Sequence, residues 1–159
     1  MDKYNLEKIA NNLVSDAIVK EIMSLKLAVK LIEAVEEKAA EMGMRIVAAV
    51  SDASGRPVAV PCMDGAYHGS FDVALNKTYT VTAFQMSTKK LSELCQPGRD
   101  LYGLQFSNDG KVMILGGGEP LMVGKTMIGA LGVSGGTASQ DTELAAYGSS
   151  ILKEVIACL

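Results

Sequence analysis

Three consecutive glycines, Gly116 to Gly118, followed by Gly124-Lys125-Thr126, are the residue types that cradle a phosphate. In a phosphate loop, successive backbone N–H groups curl around one phosphate, and four residues separate the first Gly from the Gly-Lys-Thr. Here five residues, Glu119 to Val123, intervene, and Pro120 removes one of the N–H groups the loop would have to supply. A phosphate loop must also open a helix. The stretch that follows carries Gly129, Gly132, Gly135 and Gly136, each costing ~1 kcal/mol relative to Ala inside a helix. Leu121 stands where the third Gly of a dinucleotide G-x-G-x-x-G pattern belongs. Nucleotide binding is therefore excluded. The same residues fit two apolar strands joined by a two-residue Gly124-Lys125 turn of type II′ character. Glycines within such strands mark the close approach of another backbone, a helix or a ligand. "GGGEPL" and "GVSGG" could also expose N–H groups as a nest for a carboxylate, although turn geometry explains them equally well.

Other chemistry-bearing side chains are sparse. Asp52 in "SDASG" and Asp64 in "MDGA" form an apparent acid pair, but each sits where an Asx turn needs it. Cys62, Cys95 and Cys158 are odd in number and far apart, so they read as reduced thiols. His68 is the only imidazole, which rules out a Cys/His zinc cluster and any legible Ser-His-Asp arrangement. It lies in "MDGAYHGSF", close to Met63, Tyr67 and Phe71, where a surface loop favours a solvated side chain.

The elements that position these residues follow from periodicity. Leu6, Ile9, Leu13, Ala17 and Ile18 predict an amphipathic helix over residues 5–22, and Leu27, Leu31, Ile32, Val35 and Ala39 a second over 25–42, closed by Gly43. "RIVAAVSD" and "RPVAVPCM" read as strands around a tight turn, with Pro57 and Pro61 pushing the second to a sheet edge. "NKTYTVTAF" alternates as a strand does, yet Phe71, Leu75, Thr78 and Thr82 also make a helical stripe. Ser87 is placed to cap a short helix, "TKKLSEL", and "KVMIL" reads as a strand. Thr137 and Gln140 form a capping box for a final helix carrying Leu144, Ile151, Leu152, Val155 and Leu159. The count is five strands flanked by helices, an α+β domain.

Composition narrows the partners. A net charge of −3 with interspersed signs leaves no footprint for nucleic acid. No apolar run approaches the ~18 residues of a membrane span, and the first residues do not resemble a secretory signal, so the expected compartment is the cytoplasm.

"AVKLIEAVEEKAAEMG", "VAAVSDASGRPVAV", "MDGA", "QPG", "LYGLQ", "GGGEPL" and "IGALGVSGGT" occur in an order that resembles the GlcG/HbpS family, which includes the C-terminal domain of PduO-type proteins. The resemblance covers residues 23–159 and leaves residues 1–22 as an amphipathic extension. It implies a profilin-like three-layer α/β/α domain with a five-stranded antiparallel sheet, and a helix rather than a strand over residues 71–86. It also implies a homo-oligomer that binds a small molecule, haem in several members. Others accompany glycolate or diol metabolism, some in bacterial microcompartments.

Haem iron accepts imidazole, phenolate or thioether. With haem implied, His68 becomes the axial and metal ligand to test first, with Tyr67, Met63 and Phe71 lining the site and Tyr79 and Tyr102 as further phenolates. One histidine per chain excludes a bis-imidazole site within a single chain. No catalytic residue is assigned. Three functions follow: a haem binder, a binder of a small carboxylate metabolite, and a non-catalytic microcompartment accessory that docks to cargo or shell through residues 5–22.

Overall fold

The computed structural model describes residues 22–159. The expected helix over residues 5–22 and the extension ahead of Met23 fall on residues outside the described ones, Ile22 excepted.

Helix α1 (Leu25–Glu41) begins where the Ser24 hydroxyl accepts the Leu27 N–H at 3.1 Å, and Gly43 follows its end with φ +72°. Strands β1 (Val47–Asp52) and β2 (Pro57–Ala59) form a hairpin. Helix α2 (Ser70–Phe84) and the short α3 (Thr88–Leu94) follow, then two single turns of 3-10 helix at Leu104–Phe106 and Asn108–Gly110. Strands β3 (Gly118–Val123) and β4 (Thr126–Ser134) lead to α4 (Ala138–Ala157), which opens on the Thr137–Gln140 capping box. Gly124-Lys125 is the two-residue connection between β3 and β4. Gly124 has φ +61°, and Lys125 is not among the positive-φ residues, as a type II′ turn requires.

The sheet is antiparallel with strand order β2-β1-β4-β3. Along β1 successive side chains alternate between its faces. Ala48 and Val50 join a core with Leu27, Leu31, Leu144 and Leu152 of α1 and α4, while Val47 and Ala49 meet Ala74 of α2. The helices thus cover both faces, α1 and α4 on one and α2 on the other.

The sheet has four strands, which corrects the expected five. Lys111–Leu115 forms no strand because its backbone is tied to a helix side chain. The Thr80 hydroxyl, whose proton goes to the Asn76 carbonyl, accepts the Met113 N–H at 2.8 Å. Val112 then packs on Leu91 and Cys95 of the α3 region rather than beside a strand. β2 is also shorter than its eight-residue apolar run suggests; past Ala59 only an isolated bridge, Val47 to Cys62, continues the pairing.

The threonine-rich segment is helical against its β propensity. Its hydroxyls turn back along the helix, Thr78 to the Leu75 carbonyl and Thr80 to that of Asn76, both at 2.7 Å. Ala74, Thr78 and Val81 then face the sheet. Gly132 of β4 lies directly beneath, where a Cβ would collide with the Ala74 carbonyl.

Candidate functional site

The "MDGAYHGSF" segment is the loop between β2 and α2. The Met63 N–H donates to the Ile46 carbonyl at 3.0 Å, pinning the loop's start to the chain leading into β1. A tight turn at Asp64-Gly65 follows, with Gly65 at φ +83° and the Ala66 N–H returning to the Met63 carbonyl. The chain reaches α2 when the Tyr67 carbonyl accepts the Ser70 N–H at 2.9 Å. His68 is exposed, Tyr67 is 76% exposed and Phe71 40%. These three expected site residues are exposed in the loop and the first turn at the head of α2. Met63 does not join them: it is half-buried and packs against the core cluster of α1 and α4.

The other expected groups are spread out. Tyr79 projects from α2 with its hydroxyl 2.8 Å from the Asn108 side-chain nitrogen, and the Lys111 ammonium stands 5.9 Å from the centre of its ring. Tyr102 lies exposed beyond α3. Asp52 serves its own turn, accepting the Ser54 N–H at 2.9 Å, the Ser54 hydroxyl at 2.6 Å and the Arg56 N–H at 3.0 Å. Partial burial works to raise the Asp52 carboxyl; these hydrogen bonds and the Arg56 charge outweigh it and hold the group below its ordinary value. Cys62 and Cys158 are exposed, and burial pushes the Cys95 thiol up. Among the described residues no three His, Cys, Asp or Glu side chains group to hold a metal ion.

The glycine-rich loops converge on a buried ion pair that sequence reading missed. The Lys77 ammonium, 1% exposed, donates to the Asp141 carboxylate at 2.9 Å and to the Val133 carbonyl at 2.6 Å. Burial pushes this ammonium below the usual lysine range, and Asp141 opposes that shift. The other Asp141 oxygen accepts the Gly136 N–H at 2.9 Å, so that glycine N–H is already matched to a carboxylate of the protein itself. Gly117 lies against the pair: a Cβ there would stand 2.8 Å from the Lys77 nitrogen and 2.7 Å from the Val133 carbonyl oxygen. A signal for Lys77 did exist in the sequence. On a helix it shares a face with Ala74, Thr78 and Val81, an odd place for a charge unless it is paired.

Beyond Gly116 a cleft of about 330 Å³ opens at the start of α4, lined by Lys89, Ser92, Glu93, Gly116, Ala138, Ser139 and Thr142. Nearby Glu119 is half-buried; burial raises its carboxyl, against the pull of Lys89.

A four-stranded antiparallel sheet between helices defines an α+β domain. The chain belongs to the HbpS-like family, described as haem degrading protein HbpS-like, which it matches over residues 23–150. It is 42% identical over 123 residues to a 15.0 kDa protein of Citrobacter freundii from the dhaT–dhaS intergenic region, covering 77% of this chain and 87% of that one. It is 36% identical over 116 residues, 73% of its length, to the corrinoid adenosyltransferase PduO of Salmonella typhimurium, of which the match spans only 34%. The solved Klebsiella pneumoniae protein ORFY superimposes with a TM-score of 0.80 at 37% identity, covering 82% of this chain and 90% of that one. A solved PduOC–haem complex gives 0.77 at 33% identity, covering 81% and 94%.

Proposed function

We propose that this protein binds haem on the open face at the head of α2, with His68 as the axial ligand. The observation that carries this reading is an exposed imidazole in the same loop and helix start as the exposed rings of Tyr67 and Phe71. An imidazole suits haem iron and aromatic rings suit the porphyrin plane, so the residues fit the group as one wall of a site. The haem complex of a relative 33% identical supports it. His68 would hold the iron, Tyr67 and Phe71 the macrocycle, and bound haem would supply a redox-active centre. A further ligand to the iron would come from water, a tyrosine or methionine, or a second subunit. Titration with hemin, followed at the Soret band, is expected to saturate in the wild type and to weaken at least tenfold in His68→Ala. An absent shift in the wild type removes haem, and an unchanged shift in the variant removes His68.

A second reading is a small carboxylate bound in the cleft at the start of α4, favoured by Lys89 beside the hydroxyls of Ser92, Ser139 and Thr142. It is chosen instead if glycolate, and not hemin, raises the melting temperature. Under either reading the protein works in the cytoplasm as a homo-oligomer. Residues 5–22 are the segment by which it would attach to cargo or shell of a microcompartment, a role suggested by the family resemblance.

A further inference from the structure

The residues leading into β1 keep that strand's alternation. Met44 and Ile46 join the core shared with α1 and α4. Arg45 between them is exposed and continues the row of Val47 and Ala49, which meet α2. Its backbone is fixed from two sides. Gly135, just past β4, leaves no room for a side chain beside the Arg45 carbonyl, and the next residue, Ile46, accepts the Met63 N–H at 3.0 Å. The loop that carries His68 lies on this same side of the sheet. Ala66 seats it on the cluster of Val47, Ala49 and Ala74. The Arg45 stem runs beside Gly65, where an added Cβ would stand 3.8 Å from the Arg45 Cγ. His68 comes three residues after Gly65, a span of at most ~10 Å of chain.

The guanidinium at the end of that stem is short of partners. It donates one long hydrogen bond, 3.3 Å to the Met44 carbonyl. It forms no ion pair with any carboxylate among the described residues, Asp64 of the adjoining turn included. The cations further along α2 are engaged elsewhere: Lys77 with Asp141, and Lys111 over the ring of Tyr79, about two turns past Phe71. We propose that Arg45 binds a carboxylate on the rim of the ligand held by His68, a propionate of the haem. The inference rests on the haem reading and adds to it the group that recognises the anionic edge of the macrocycle. Haem carries propionate carboxylates on its rim, and neither iron ligation nor ring contacts meet their charge. Arg meets a carboxylate through a planar two-point fork. Because Arg45 stands outside any ion pair, no protein carboxylate has to be displaced first.

The test compares hemin with hemin dimethyl ester, whose propionates are neutral. Each is titrated into the full chain in the same mild detergent and followed at the Soret band. Arg45→Gln should weaken hemin about tenfold, as loss of a hydrogen bond to a charged group does, and should leave the ester within about twofold of wild type. The contrast between the two probes is a readout that a merely structural role of Arg45 would not produce. A wild type that gives no saturable shift with hemin overturns the haem reading and this inference with it. Hemin that binds wild type and Arg45→Gln alike, or a variant that loses hemin and ester equally, overturns Arg45 alone and leaves His68 to its own test.

Discussion

Lys77 heads the large side chains enclosed by this fold, and its ammonium has two protein acceptors. Bringing a charge out of water costs several kcal/mol, so the pair stabilises chiefly by being complete. Lys77→Met, which strands Asp141 without its cation, is expected to lower stability by ~3–5 kcal/mol. Combining it with Asp141→Asn removes the stranded charge, keeps an acceptor for the Gly136 N–H, and should recover ~2 kcal/mol or more. Urea melts of the three proteins check this, and a double variant no better than the single one would refute it. The exposure of Tyr67 and His68 was legible in the sequence because a surface loop is a local event. The ion pair was not: helical spacing marks Lys77 as needing a partner, but Asp141 lies 64 residues away and nothing local names it.

At the scale of elements, α2 and β4 depend on each other through Gly132. Any side chain there pushes α2 off the sheet, so Gly132→Ala is expected to cost ~1–3 kcal/mol, as overpacking does. The stability loss should appear in thermal melts, whereas Gly124→Ala, with open space around it, tests only the turn's positive φ. Caps and hairpin turns were readable for the same reason the loop was: Ser87, Thr137 and Gly124-Lys125 act on the next three residues. Elements whose type is decided by distant partners were not. The alternating threonines of α2 suit a strand until their hydroxyls bond along a helix that is packed on β4. Lys111–Leu115 has strand composition, yet the Thr80 hydroxyl takes the Met113 N–H that a neighbouring strand would use.

For the whole molecule, the main core cluster runs from Met23 to Leu152 within the described residues. A chain that starts at Met23 is expected to unfold cooperatively with a melting temperature within a few degrees of the full protein and, on the proposed reading, to lose attachment to microcompartment partners. Loss of the cooperative transition in calorimetry would assign those residues to the core and end the attachment reading. The buried pair has a consequence at this scale as well. Lys77 rises from the layer on one face, Val133 belongs to the sheet, and Asp141 heads a helix of the opposite face. One ammonium therefore ties all three layers. Peeling away either helical layer would leave a charge in a dry interior, so partial openings are penalised and the layers open together. Amide exchange in α2 and in the first turns of α4 should then report a single opening free energy, that of global unfolding.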